Sequence, residues 1–159
     1  MRLGAYVGAA LAGAIVLTGT ACGKTDSEAT ATTSPASTTT GTSVDSAQLP
    51  SLVPAPADTQ TTKGPDSIPN NGIRLHYQVN GAPNDVLNAF KAALESKGWV
   101  VTTIVTSDGP GGGGGATYTG TNGSAYGVFD GGGYNSTTYL DVCAWPEQPA
   151  NPNCTRGDR

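Results

Sequence analysis

The chain of 159 residues carries eight Lys and Arg against twelve Asp and Glu, a formal net charge of −4. This length has room for one domain. Nucleic acids and anionic membrane surfaces are bound by clustered Lys and Arg. The basic residues here are few and scattered, which argues against both kinds of partner.

The first 21 residues follow the pattern of a signal peptide. Arg2 gives a positive start, and residues 3–17 form an uncharged apolar run that small residues connect to Cys22. The run is about 15 residues long, shorter than the roughly 20 that a helix needs to cross a bilayer. We therefore expect export and cleavage rather than a permanent transmembrane span.

Cys22 ends a stretch, Leu17 to Cys22, that resembles a bacterial lipobox, in which the cysteine is diacylated and becomes the new N-terminus. Gly19 stands where the lipobox usually has Leu, and residues 19–21 also fit an ordinary small-x-small cleavage site. Lipidation of Cys22 would explain an odd number of cysteines in an oxidising compartment. We expect a lipid anchor that holds the protein on the outer side of the cell membrane, with free secretion as the alternative.

Residues 22–70 are predicted to be the lipidated cysteine and a disordered tether. They are mostly Ser, Thr, Pro and Ala and contain no aromatic residue, so they lack the apolar surface that would offset the entropy of ordering. The Thr clusters beside Pro fit an O-glycosylated stalk and an unmodified spacer equally well. Leu49, Leu52 and Val53 are apolar residues within it, and the sequence leaves open whether they dock onto the domain.

A globular domain is predicted for residues 71–159, where nine of the ten aromatic residues lie. Residues 73–80 alternate strictly between apolar and polar side chains and predict a half-buried strand. Pro83 suits the first position of a helix, and Gly98 suits a left-handed cap that lets Trp99 fold back onto Leu94. The helix has one apolar stripe, formed by Val86, Leu87, Phe90, Ala93 and Leu94.

Four further segments after the helix have strand character. Residues 100–106 are β-branched, residues 116–121 and 124–130 flank the hairpin signal Asn122-Gly123, and residues 137–145 form a last strand. That turn would place Tyr118 opposite Gly127, and the glycine run 109–115 is expected to be a flexible loop. The predicted fold is α+β, a mostly antiparallel sheet of four to five strands with one helix packed on one face.

The remaining two cysteines, Cys143 and Cys154, are expected to form a disulfide that pins the Pro-rich tail to the last strand. Closing a loop of about 12 residues stabilises a domain by about 3 kcal/mol in the chain-entropy model. A domain this small buries only a modest fraction of its surface, so the disulfide is expected to contribute a large share of its stability.

Residues 73–146, with the blocks GIRLHYQVNG, DVLNAFKAALESKGW, ATYTGTNG and DVCAWP, resemble a group of mycobacterial and other actinobacterial secreted lipoproteins. The resemblance covers about half of the chain. It implies the cell envelope as the location and brings no catalytic residue with it.

The sequence holds no recognisable catalytic, cofactor or metal motif. His76 is the only histidine and is expected to be a solvated strand residue, because the thiols that would share a zinc ion with it are expected to be oxidised. Paired carboxylates can perform acid–base chemistry, but the positions of Asp130 and Asp141 favour ordinary surface carboxylates. The glycine run lacks the Gly-Lys-Ser/Thr ending of a phosphate-binding loop.

The sheet face away from the helix is the candidate binding surface, with His76, Tyr118, Tyr139 and Trp145 as its candidate residues. The alternative is that the disulfide-closed tail, or residues 49–53, cover these side chains. We therefore expect a monomeric, non-catalytic envelope lipoprotein that binds an envelope protein, a lipid or a glycan. A spacer without a specific ligand is the second hypothesis, and an enzyme is the least favoured.

Overall fold

The computed structural model describes residues 43–154. The predicted signal peptide, the predicted lipidation site Cys22 and the first part of the predicted tether lie outside the described residues. Every element described below belongs to the unit that spans residues 38–159.

Residues 43–154 form six strands and two α-helices. The helices are α1 (Leu49–Leu52), which follows a 3₁₀ turn at Ser46–Gln48, and α2 (Pro83–Ser96). The strands are β1 (Thr59–Ile68), β2 (Gly72–Asn80), β3 (Val100–Gly109), β4 (Gly113–Asn122), β5 (Ala125–Tyr134) and β6 (Thr137–Trp145).

All six strands join in one antiparallel sheet with the order β1-β2-β6-β5-β4-β3. The α+β fold with a single main helix is thus confirmed, but the predicted count of four to five strands is wrong. The missed strand is β1. None of its residues is buried, so it shows no apolar alternation, and it is held at the sheet edge by backbone pairing with β2.

The C-terminal part of the predicted tether is folded. Leu49 is fully buried and Val53 nearly so, and the indole N–H of Trp99 donates a hydrogen bond to the carbonyl oxygen of Leu52 at 2.9 Å. The backbone N–H of Val44 donates to the Ser124 hydroxyl, also at 2.9 Å. The few apolar residues of this segment suffice because they pack into a core to which the rest of the domain contributes most of the side chains.

Helix α2 has the ends that its sequence predicts. Pro83 is its first residue, and Gly98 takes a left-handed conformation with φ at +90° just beyond its end. The backbone N–H of Trp99 then donates to the carbonyl of Leu94 at 3.1 Å, which turns the chain back over the helix. The helix buries Leu87, Phe90 and Leu94 against the sheet.

The β4–β5 hairpin is real, but its predicted register was two residues out of place. Gly123 and Ser124 form the turn, with φ at +61° for Gly123, and Tyr118 pairs with Phe129 rather than with Gly127. A side chain at Gly127 would meet the rings of Phe129 and Trp99. An aromatic ring therefore does cover this bare strand position, as expected, but it comes from other residues.

The glycine run is a turn between two strands rather than a flexible loop. Strand β3 extends to Gly109 and strand β4 begins at Gly113, with Pro110–Gly112 between them. A Cβ atom at Gly115 would lie 2.9 Å from the carbonyl oxygen of Gly131, closer than real Cβ atoms come to backbone. Glycine permits this close approach of β4 and β5.

The sheet has two unequal faces. Its helix face packs on α1 and α2 and forms the main core, which includes Tyr77, Tyr118, Phe129, Leu140 and Val142. On the opposite face, called here the open face, a smaller cluster contains Val128, Cys143 and Trp145. The predicted disulfide between Cys143 and Cys154 is present and holds the tail beside this cluster. Within residues 43–154, no helix has the length and apolar character to cross a membrane.

Candidate functional site

The open face carries a row of polar side chains across five neighbouring strands. Backbone pairing sets Lys63 on β1 opposite His76 on β2, then His76 opposite Asp141 on β6, and Asp141 opposite Asp130 on β5. Asp130 in turn faces Thr117 on β4. Partners in antiparallel strands point to the same face, so this polar row is continuous.

His76 and Asp141 form the buried centre of the polar row. The His76 Nδ1 atom lies 3.0 Å from Asp141 Oδ1, and the two residues are 6% and 1% exposed. His76 was expected to be solvated and Asp141 to be a surface carboxylate, and both expectations were wrong. Each supplies a hydrogen-bonding partner for the other, which is the condition for burying such groups.

The next pair in the row is also joined. The Thr117 hydroxyl donates to Asp130 Oδ1 at 2.7 Å, and both residues are partly buried. Asp130 and Asp141 are thus cross-strand neighbours, but each carboxylate has a different hydrogen-bonding partner on its far side. This arrangement orients the Asp130 side chain along the sheet surface.

A groove of about 480 Å³ lies next to the polar row. A second cross-strand row lies next to the polar row. It consists of Tyr139 on β6, Gly132 on β5, Gly115 on β4 and Ser107 on β3. The two glycines have no side chains, so a gap opens between Tyr139 and Ser107. The gap is bounded by Asp130 and Thr117 on one side and by Tyr134 on the other.

Two tyrosines give the groove its aromatic walls. The Tyr139 ring stacks on the His76 ring with their centroids 6.1 Å apart and an interplanar angle of 20°, which links the wall to the buried pair. Tyr134 is 58% exposed, one of four large apolar or aromatic side chains that are so exposed among the described residues. One wall is therefore fixed by stacking while the other stands in solvent.

Of the four predicted binding residues, two lie together beside the groove and two do not. His76 and Tyr139 stack on the open face. Trp145 shares that face, but it is buried in the smaller cluster, against which Cys154 of the tail packs, and its indole N–H donates to the Pro69 carbonyl in the β1–β2 turn at 3.0 Å. The alternative that the tail covers part of the face therefore holds for Trp145.

Tyr118 is the one predicted site residue on the wrong face. It is 2% exposed and belongs to the core beneath α2. Burial raises the pKa of the Tyr118 phenol, and the positive charge of Lys91 partly opposes this increase. Burial likewise raises the pKa of Tyr77, which lies on the same face of the sheet. The Thr residues that alternate with Tyr118 in β4 already indicated which face was polar.

Thr117 and Tyr134 were not predicted as site residues, Asp130 was predicted to be an ordinary surface carboxylate, and the role of the glycines was not predicted. The sequence did contain a signal for these residues. Asp130 and Tyr134 lie an even number of residues apart in β5, as do Tyr139 and Asp141 in β6, and such residues point to the same face of a strand. Across residues 43–154, no group of three or more His, Cys, Asp or Glu side chains is arranged to hold a metal ion.

The groove thus offers two phenol rings, a carboxylate, two hydroxyl side chains and a backbone floor. These groups can stack against an apolar surface and exchange hydrogen bonds with a polar one. No family model, curated protein or solved structure matches this chain.

Proposed function

We propose that this protein is a non-catalytic binding module of the cell envelope and that the groove on its open face binds a glycan. The single observation that carries the proposal is the glycine-floored groove between Tyr139 and Tyr134. Its volume, about 480 Å³, falls in the range of small-molecule sites.

The chemistry of the groove fits a sugar better than a lipid or a peptide. A sugar ring has an apolar face that can stack on a tyrosine, and its edges carry hydroxyl groups that need donors and acceptors. Asp130, Thr117 and Ser107 supply such groups at the groove surface. A lipid tail would take water away from these polar groups without offering them hydrogen bonds, and that would cost binding energy.

The charge of the site favours a neutral sugar or an amino sugar. Asp130 is the carboxylate that lines the groove, and no Lys or Arg lines it. The chain as a whole has a formal net charge of −4. An acidic sugar would therefore meet a negative charge without a cation to balance it.

The hydrogen bonds of the polar row support binding rather than catalysis. General acid–base catalysis needs a titratable group within reach of the reacting atoms. His76 Nδ1 is engaged by Asp141 beneath the surface, and Ser107 Oγ lies 3.5 Å from the Gly115 carbonyl oxygen. The groove has one carboxylate, whereas glycoside hydrolysis by the common mechanism uses a pair.

A titration of neutral oligosaccharides, amino sugars and uronic acids onto residues 38–159, the unit that holds the described fold, tests this proposal. We expect the neutral or amino sugars to bind and the uronic acids not to bind. Tyr134→Ala should weaken binding about tenfold, the size of one good aromatic contact. Tyr126→Ala is the matched control, because Tyr126 lies on the same strand and face but outside the groove.

Two outcomes would count against the glycan groove. If no sugar binds at millimolar concentration, the spacer hypothesis is the better one. If a sugar binds and Tyr134→Ala and Tyr126→Ala reduce its affinity equally, the site lies elsewhere.

The location rests on the signal peptide pattern, on Cys22 and on the resemblance to actinobacterial lipoproteins. If Cys22 carries the lipid, the first described residue follows 21 residues later in the chain. A fully extended chain reaches about 3.5 Å per residue, so the domain would work within roughly 75 Å of the membrane surface. The mass of the mature N-terminus tests this: acyl chains on Cys22 support an anchor, and an unmodified N-terminus supports secretion.

A further inference from the structure

The two edges of the sheet differ in how well they are protected against pairing with another strand. Strand β1 carries Lys63 and Pro65, and its pairing with β2 has two irregularities, at Thr59/Thr61 and at Lys63/Asp66. Charges, prolines and bulges are the usual devices that prevent edge-to-edge association. This edge is therefore closed to a further strand.

The opposite edge, β3, lacks these devices along most of its length. Residues 100–106 are seven consecutive β-branched residues, and no charged residue or proline occurs between Val100 and Ser107. The pairing with β4 has one irregularity, at Ile104. The side chain that this irregularity exposes to solvent is apolar, so it does not protect the edge as a charged side chain would. A long, uncharged, β-branched edge is a strong template for strand addition.

Exposed apolar side chains are concentrated on the same edge. Of the four large hydrophobic residues that are well exposed among the described residues, three lie on β3: Val100 at 72%, Ile104 at 60% and Val105 at 53%. Single exposed apolar residues need no explanation, but a row of them along the edge strand of a sheet marks an interaction surface.

We propose that β3 pairs with β3 of a second copy of this chain, so that two sheets join into one. The partner of such an edge must be an extended strand with unpaired backbone groups, apolar side chains and no charge. Among the described residues β3 itself meets these conditions, whereas the other free edge, β1, carries Lys63, Pro65 and Asp66. The sequence alone led us to expect a monomer, and the open edge is the reason to revise that expectation.

Self-pairing of β3 is compatible with the symmetry and charge of the protein. An antiparallel strand can pair with its own copy about a two-fold axis, the commonest symmetry of oligomers. Because residues 100–107 are uncharged, the pairing places no like charges opposite each other, although each copy is acidic overall. The axis runs perpendicular to the sheet, so both open faces lie on one side.

The test is the mass of residues 38–159 in solution, measured by sedimentation from about 1 µM to about 1 mM, a range that includes weak interfaces. We expect the average mass to approach twice the monomer value as concentration rises. Ile104→Lys should hold the protein at the monomer mass at every concentration. Thr61→Lys is the matched control, because it adds the same charge to an exposed position of the other edge strand, and it should leave the dimer intact.

Amide hydrogen exchange locates the contact independently of the variants. Amides of β3 should gain protection as concentration rises, while those of β1 should not. A monomer at every concentration overturns the proposal. So does a dimer that survives both Ile104→Lys and Val105→Lys, or one whose formation leaves β3 amides unprotected. Circular dichroism checks that each variant remains folded, which their exposed positions favour.

Discussion

Replacing Leu49 with alanine tests whether the segment before β1 is part of the cooperative fold. This residue lies in a stretch whose composition predicts disorder, yet its side chain is fully buried in the main core. If the segment is integral, the substitution should destabilise the whole domain. If it only rests on the surface, the effect should be local and small.

The expected loss follows from the burial of Leu49. Leu→Ala removes three carbon atoms, each worth about 0.8 kcal/mol when buried, which gives about 2.4 kcal/mol before any cavity is counted. At a site with no solvent exposure a cavity term adds to this, and Leu→Ala changes in protein cores cost about 3–5 kcal/mol. We therefore expect a decrease of about 3 kcal/mol in the free energy of unfolding.

Urea denaturation followed by tryptophan fluorescence measures this loss. With an m value of about 1.5 kcal/mol/M, the midpoint should fall by about 2 M. Leu52→Ala is the graded control, because Leu52 is partly buried in the same short helix and should lose less. A midpoint for Leu49→Ala within experimental error of the wild-type value would refute an integral role for this segment.

Three further predictions concern the open face and the core. Replacing both Cys143 and Cys154 with alanine should lower the free energy of unfolding by about 3 kcal/mol, because the disulfide closes a loop with a sequence separation of 11. Equal melting temperatures with and without the disulfide would contradict this. His76→Ala and Asp141→Ala should each lower the free energy of unfolding by about 1–3 kcal/mol, because each removes a buried hydrogen bond, and the double variant should lose less than the two single losses combined. Strictly additive losses would show that the pair is not coupled. Because burial raises the pKa of Tyr77, the folded state holds its phenol proton more tightly than the unfolded state. The contribution of Tyr77 to the free energy of unfolding is fully present below about pH 10 and is lost as pH rises through the raised pKa. Tyr77→Phe should therefore flatten the alkaline loss of stability, and an unchanged slope would count against this origin.

Elements with a local signal were predictable from the sequence. Residues 73–80 alternate strictly and form β2, and residues 137–145 coincide with β6. Pro83 and Gly98 frame α2, because a proline suits the start of a helix and a glycine suits the left-handed residue after its end. Each of these assignments depends on a few neighbouring residues.

Elements that depend on distant partners were not predictable. Strand β1 buries none of its side chains, and its stability comes from backbone pairing that a one-dimensional pattern does not show. The His76–Asp141 pair joins residues 65 positions apart, and it requires the register between β2 and β6. The groove likewise depends on Gly115 and Gly132 standing side by side, which only the register of β4 and β5 sets.

The two proposals converge on one corner of the molecule because the sheet is covered unevenly. Helices α1 and α2 close one face, and the disulfide-held tail closes the end of the other face around Trp145. The groove at the glycine-rich end of the open face adjoins the exposed edge β3, and Val105 belongs to both. A dimer through β3 would place two grooves on one side of a continuous sheet, so a polymeric glycan could engage both and bind more tightly than a short oligosaccharide. Ile104→Lys should remove that gain while leaving the affinity for a short sugar unchanged, whereas Tyr134→Ala should weaken the binding of both and leave the dimer mass unaltered.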